Sequence, residues 1–593
     1  MKTNRFTLVV MLLLSWTSID AQSTPFCEDE PPSNPFLADS PWPTYHRNNY
    51  RQASTCLPGP VSGDSLRVVA KTGIQGSTSP WTYLSEEYPD GERVLTQSNS
   101  THFFKMIDLG DEIVTVDSIR IDFDPITSFG WNFLQTPGPV WYTYDPKYDP
   151  ENNRYTRLYR IEDETPGDAF SDLIVTDTFS FQDLPVTKVQ NYGINYNGQI
   201  VFTDGDLESL LNKVVVGVLS PDLVLLDTLE LSLEPGEIAF HNAWPIDENN
   251  SIFQVTTRRM IRYDWDGEEL SIGWEAPYDF VADGPTGSFA EGSGTTPTLM
   301  GWGDGNDKLV VVADGHANNN LVAFWRDTIP DGWAGIPGED PRLAGLIPLP
   351  AANQFSNLFQ SIENSPTVYG YEIAIAQFNG FLGQNCPTVK GIQKLHWDVE
   401  DDSWAIDWVN EEINMNGVLT YSSGSDLVYG SGRADDCNYY YYALDWQTGD
   451  LEWSILLGPE GTFANNPWDD GGVNHIIGEQ ANIYFAGTAS LVKIEIVEDG
   501  TNSSSDLDAL EENFHLFPNP VIEGDLHLSL PAAVHSDIVV AFYDNFGREV
   551  LRHNINAQNS VIDIRSLQAG VYLASFMELN GRRISSQQVL ITD

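Results

Sequence analysis

One recurrence constrains this chain more than any other feature. A small polar lead of Thr, Ser, Asn or Pro is followed by an apolar, β-branched run, a Gly/Asp/Asn turn and a second such run. The pattern restarts at "STSPWTYL" (residue 77), "GWNFLQTP" (130), "NYGINYNGQIVFTDGD" (191), "HNAWPIDENNSIFQV" (241), "GTTPTLMGWGDGNDKLVVVADG" (294), "ENSPTVYGYEIAIAQFNG" (363), "MNGVLTYSSGSDLVYGSG" (415) and "VNHIIGEQANIYFAGTA" (473). Starts roughly 50 to 70 residues apart, with several strands per unit, are the signature of propeller blades. Helical periodicity of useful length is nearly absent, so the body is expected to be all-β. Eight blades fit the units. Seven is the alternative, because the second unit is irregular. The last blade is expected to be completed by the first strand, "SLRVVAKTG", which closes the ring and leaves no long exposed edge.

"ALDWQTGDLEW" (Ala443, Asp445, Thr448, Gly449, Trp453) resembles the tryptophan-docking motif A-x-D-x-x-T-G-x-x-x-W of quinoprotein-like eight-bladed propellers, the alcohol dehydrogenase-like fold that binds PQQ in some members. Its Asp and Thr can hold a turn, its Gly permits a positive φ, and its Trp can pack on the adjacent blade. Degenerate copies stand at "IRYDWDGEELSIGW", "LHWDVEDDSWAIDW" and "LVAFWRDTIPDGW", and the lead-in "WPTYHRNNYRQAST" is similar to the segment that opens many such propellers. A fold resemblance does not fix function.

The C-terminal residues carry a second resemblance. Phe517, Pro518, Asn519 and Pro520 ("FPNP"), the "YDNFGREV" hairpin with Gly547, and "LQAGVYL" with Gly570 and Tyr572 stand in the order of the type A C-terminal sorting domain of the type IX secretion system of Bacteroidetes. Composition alone predicts only a small β-sandwich. The resemblance implies export across the outer membrane, the secretion machinery as a partner, and a protein released or held at the outer cell surface. The family often ends in a Lys-rich strand, whereas Arg582 and Arg583 stand here with "SSQQ".

The expected organisation is a signal peptide at 1–21, a lead-in at 22–63, the propeller at 64–497, an acidic, Ser-rich linker at 498–512 and the sorting domain at 513–593. The first residues have a basic start, an apolar stretch and small residues before a cut after Ala21, too short for a membrane anchor. Gln22 follows the cut, so a lipid anchor on cysteine is not expected. No later run is long enough to span a bilayer as a helix, and a monomer is expected. Cys27, Cys56, Cys386 and Cys437 form an even set in an exported chain, which suggests two disulfides. Proximity favours Cys27 with Cys56 and Cys386 with Cys437 among three connectivities.

The formal charge of −55, from 85 acidic against 30 basic residues, repels nucleic acid and polyanions wherever no local basic site overrides it. Solubility in a salty medium accounts for it. An acidic surface also suits Ca²⁺. "GDGNDK" (303–308) and "DWDGEE" (264–269) have Asp/Asn spacings of that kind, but each stands where a hairpin turn is expected.

Catalytic candidates follow from where propellers place their sites, at the mouth of the central channel. Residues leading the innermost strands include His241 and Asn242, Glu291, Glu363 and Asn364, Asn416, and Asn474 with His475. Histidines and carboxylates in such a ring can hold a metal or act as acid and base; capping strands and hydrating the channel is the plainer role. A quinone-dependent dehydrogenase is the lesser enzyme alternative, because there is no Cys-Cys pair and no haem CxxCH. A polysaccharide lyase or hydrolase would use His241, His475, Arg433 and Tyr421, with Arg433 neutralising a uronate; the plainer role for Arg433 is pairing with Asp435 or Asp436. His316, in the turn "DGHANNN", is placed at the end of its blade opposite "GTTP" and is set aside on that ground. The reading is a surface or secreted recognition module that binds a glycan or small molecule. An enzyme at the channel is the alternative, and the sequence specifies no cofactor.

Overall fold

In the computed structural model of the chain, residues 30–497 are described except 75–80, 99–100, 122–133, 146–154, 187–188, 205–211, 240–242, 280–291, 315–318, 352–363, 378–389, 460–466, 469–474 and 488–489; beyond them 515–517, 525–529, 538–543, 548–555, 561–578 and 583–591 are described. Apart from a short 3-10 turn that includes Pro350 and Ala351, the regular elements among these residues are strands.

The apolar runs become strands buried on both faces. In "LVVVA", Leu309, Val311 and Ala313 enter one core with residues of the following sheet, while Val310 and Val312 enter another with residues of the preceding one. Side chains alternate along a strand, so a continuous apolar run serves two interfaces at once. Each fully buried Val or Leu contributes about 1.5–3 kcal/mol.

Eight sheets, counted among the described residues, precede residue 497; each is built on a meander in chain order, to which Ser54–Thr55 adds at one edge of the seventh and Leu66–Thr72 at one edge of the eighth. Their inner strands are Trp81–Leu84, Leu134–Thr136, Val189–Ile194, Thr298–Met300, Thr367–Tyr369, Thr420–Ser422 and Ile476–Ile477. In the fourth sheet only the bridges Ala239–Thr256 and Ile246–Ile252 mark the inner position, before Ile252–Val255. Successive sheets share apolar cores, and the core of the first sheet also takes in Ile476, Tyr484 and Leu491 of the eighth. The ring therefore closes, as a β-propeller. Leu66–Thr72 supplies the outer strand of the last sheet, pairing antiparallel with Ser490–Ile496. That is the closure expected of "SLRVVAKTG".

Tryptophans dock the sheets to one another. Trp274, Trp408 and Trp453, on outer strands, donate their indole N–H to the carbonyls of Arg326 and Trp446 in the sheet that follows and of Pro60 in the lead-in. In "DWQTGD", the Asp445 carboxylate accepts the amides of Gln447 and Thr448, and Gly449 has φ +76°. A Cβ on Gly449 would come within 2.5 Å of the Trp408 ring. Gly449→Ala is therefore expected to combine left-handed strain with overpacking and to cost about 2–4 kcal/mol. A melting temperature within a degree of the parent would contradict it.

Three of the scarce cations are buried against carboxylates. Lys105 meets Asp163 of the next sheet at 2.5 Å, with side-chain exposures of 0% and 3%. Lys493 meets Asp108 and Glu495 at 2.8 and 2.6 Å, and Lys394 meets Glu372 and Asp407 at 3.1 and 3.3 Å.

One expectation is corrected. Ala313 N donates to Thr295 Oγ1 at 3.1 Å, so the turn after Leu309–Ala313 lies at the same end of its sheet as "GTTP", not the opposite one. Thr298–Met300 and Leu309–Ala313 are the first two strands of the sheet and run antiparallel, so the second ends where the first begins. His316 itself lies outside the described residues.

The C-terminal module pairs a three-stranded sheet with the four-stranded sheet built on Ile538–Tyr543, Glu549–Ile555, Gly570–Glu578 and Arg583–Ile591. Leu526 and Ile562 of the first pack with Val540, Phe542, Phe576 and Val589 of the second, as a small sandwich requires.

Candidate functional site

The channel is occupied by the chain's own lead-in. Asn34 Nδ2 donates to the carbonyls of Ile194 and Asn195, Ala38 N to Gln135 O, and Leu84 N to Trp42 O. Further along, Ile246 N donates to Asn49 O, Leu299 N to Tyr50 O, Val368 N to Gln52 O and Tyr421 N to Ala53 O. Ser54–Thr55 then pairs in parallel with the inner strand Thr420–Ser422. The lead-in thus hydrogen-bonds to the inner edges of the first seven sheets, edges that would otherwise carry open backbone groups. It is an irregular coil, with His46, Arg47, Arg51 and Ala53 at φ of 50°, 71°, 63° and 54°. Each such non-Gly residue costs about 1–2 kcal/mol, which the surrounding contacts offset.

At its centre stands the Tyr45 ring. His46 stacks on it at 3.9 Å, Trp81 meets it edge-on at 4.2 Å, and the Arg51 guanidinium lies 5.9 Å from its centroid. Thr296 donates to the Tyr45 hydroxyl, whose pKa burial pushes up to about 12. Arg51 is pulled down to about 10 by burial. Burial, with the Arg51 charge beside it, holds His46 well below the usual histidine range, so its imidazole is neutral at pH 7. These groups were missed in the sequence. The available signal was a stretch without Asp or Glu, "WPTYHRNNYRQA", in a chain otherwise rich in both.

Of the expected catalytic residues, His241, Glu291 and Glu363 lie outside the described residues. His475 is fully buried between the last two sheets, its ring 5.2 Å from Tyr441 and 5.1 Å from Phe485, and its carbonyl accepts from Thr420 Oγ1 at 2.7 Å. Arg433 ends Leu427–Arg433 with its guanidinium 5.4 Å over Tyr439, on the strand face that also carries Tyr441. His475 and Arg433 therefore approach one tyrosine-lined interface between sheets. Tyr421 stacks on Trp446 at 4.0 Å and donates to Asp426. Asp435 pairs with Lys390 at 2.9 Å, and Asp436 accepts from Asn438 and Tyr440.

Both suggested Ca²⁺ loops are turns. Asp266 accepts the amides of Glu268 and Glu269, and Asp307 accepts the indole N–H of Trp397 from the next sheet. Among the described residues no group of three or more His, Cys, Asp or Glu is placed to hold a metal. Cys56 and Cys437 are not free thiols; Cys27 and Cys386 lie outside the described residues. So do Pro518, Asn519, Pro520 and Gly547 of the sorting motif, whereas the Tyr572 hydroxyl donates to Gln568 O.

Together these features define an exported β-propeller with a sorting tail. Residues 515–591 match the family described as the secretion system C-terminal sorting domain, here that of the type IX system, which marks the chain as secreted or at the outer surface. No helix among the described residues is long and apolar enough to cross a membrane. An uncharacterized protein of Archaeoglobus fulgidus is 28% identical over 455 residues, covering 72% of this chain and 83% of its own length. Among solved structures, Sqt1 of Saccharomyces cerevisiae is 11% identical with a TM-score of 0.40, over 72% of this chain and 99% of that one. PorZ, an essential bacterial surface component of the type-IX secretion system of Porphyromonas gingivalis, is 10% identical with a TM-score of 0.29, over 87% of this chain and 68% of that one.

Proposed function

We propose that this chain is a monomeric recognition module of the cell surface or medium: an eight-bladed propeller delivered by a signal peptide at 1–21 and by the sorting domain at 513–593. The observation that carries this reading is the lead-in, whose hydrogen bonds along the inner strands close the channel as a through-passage. Recognition of a glycan or small molecule then belongs to the end of the ring where the inner strands begin. His241, Glu291 and Glu363, which the sequence pattern assigns to the channel, are the residues to vary. Disulfides Cys27–Cys56 and Cys386–Cys437 belong to the same proposal. Arg47 bridges Glu30 and the Ser54 carbonyl at 2.7 Å each, and Lys390 meets Asp435 at 2.9 Å, so each proposed pair is flanked by an ion pair or hydrogen bond between the same two segments.

Deleting residues 515–591 is expected to trap the propeller inside the cell envelope, as read by fractionation and immunoblotting; undiminished surface or medium protein would remove the export reading. The full secreted protein, screened against glycans and alcohols with added Ca²⁺ and quinone, is expected to bind without turnover. Chelator-sensitive turnover would replace recognition with catalysis at the channel mouth.

A further inference from the structure

We infer that the centre of the channel holds a small oxyanion, taken up among Arg51, His46 and Trp81. The argument begins with charge. The buried lysines Lys105, Lys394 and Lys493 meet carboxylates. Arg51 is 1% exposed and has no such partner among the described residues. Its Nε donates to Trp244 O at 3.1 Å, and Nη1 donates to Thr44 Oγ1 at 3.1 Å and Tyr45 O at 2.8 Å, all of them neutral acceptors. A guanidinium withdrawn from water without a counter-charge carries a desolvation cost of several kcal/mol.

The neighbouring polar atoms show the same deficit. The indole nitrogens of Trp81 and Trp42 are buried without a hydrogen-bond partner, and neither ring nitrogen of His46 makes a bond of good geometry, although the Arg51 backbone lies within reach of the ring. His46, Trp81 and Arg51 surround one ring, that of Tyr45, and the His46 and Trp81 rings are 6.5 Å apart. Indole and guanidinium N–H groups can only donate, and a neutral imidazole offers one donor. A cluster of unmet donors around a positive charge calls for an acceptor-rich, negatively charged occupant. The lead-in from Trp42 to Ala53 contains no carboxylate to fill that role, and the chain's overall negative charge is screened beyond about 8 Å at physiological ionic strength. The enclosure by the chain's own backbone limits the occupant to a small one: an inorganic oxyanion or the carboxylate of a small organic acid. This inference is independent of the recognition reading.

The test follows thermal unfolding and tryptophan fluorescence of the secreted full chain, titrated with sodium phosphate or sodium acetate against chloride at constant ionic strength. A saturable response is expected, with the melting temperature rising about 3 °C at a hundredfold excess over the dissociation constant. Saturation by phosphate alone assigns an inorganic oxyanion, and saturation by acetate a carboxylate. Trp81→Phe keeps the ring and removes the donor, and is expected to weaken the response about tenfold, the worth of one hydrogen bond to a charged acceptor. Arg51→Gln should abolish it; if that variant does not fold, Trp81→Phe decides. A non-saturating rise, identical in Trp81→Phe, or none beyond chloride, would mean that water alone fills the site and would overturn the inference.

Discussion

Removing residues 30–60 while leaving the rest of the chain intact is expected to abolish the folded monomer. The amides of Ile246, Leu299, Val368, Tyr421 and Ser423 would lose the lead-in carbonyls that accept from them, and the inner edges would open to pairing with other chains. Trp42 and Tyr50 are fully buried, and losing each aromatic side chain from such packing costs about 3–5 kcal/mol. With the hydrogen bonds added, the loss is on the order of 10 kcal/mol, comparable to the whole stability of a typical domain. Size-exclusion chromatography and circular dichroism read the outcome. A monomer that melts cooperatively near the parent temperature would show that the ring stands without its filling.

Lys105→Met is expected to produce the largest single-residue loss, about 3–5 kcal/mol at pH 8, because it strands a buried carboxylate. Asp163 would keep only the Tyr88 hydroxyl at 2.7 Å, while Lys105 also leaves the carbonyls of Asp168 and Ser171. Burial already pushes the Asp163 pKa up, and the Lys105 charge holds it back; burial likewise pulls Lys105 down. Without the lysine, the folded-state pKa of Asp163 moves further above its unfolded value. A carboxyl shifted that way favours the fold while protonated and loses that contribution as pH rises through the folded value. The deficit of Lys105→Met should therefore be smaller at pH 5 than at pH 8, read as the melting-temperature difference from the parent at each pH. An equal deficit at both would place the cost in packing instead of charge.

What the sequence could disclose depended on the range of the interaction. In "ALDWQTGDLEW", the turn carboxylate, the positive-φ glycine and the docking tryptophan lie within a dozen residues, so residue types alone announce the geometry. "SLRVVAKTG" was legible for a different reason: a ring needs its last sheet completed, and an unused strand stood at the start. The lead-in offered neither clue. Its partners are mostly backbone groups of the inner strands, up to 161 residues away for the Asn34 side chain and 247 for that of Gln52, and a carbonyl is the same in every residue. Its left-handed positions fall on His, Arg and Ala, with no glycine to mark them. For the same reason His475 read as a channel residue, whereas the packing of Tyr441 and Phe485 takes it between sheets.

The pairing of Leu66–Thr72 with Ser490–Ile496 also sets a timetable. Arg67 and Glu495, joined across that seam, are 428 residues apart. While the chain emerges from the ribosome, the first strand of the ring has no partner until nearly the whole propeller has been made. Bringing such distant segments together is slow compared with hairpin formation. The last sheet and the filling of the channel are thus late events in folding, and a chaperone or translocation apparatus that met the nascent chain would find an open arc of sheets in place of a sealed wheel.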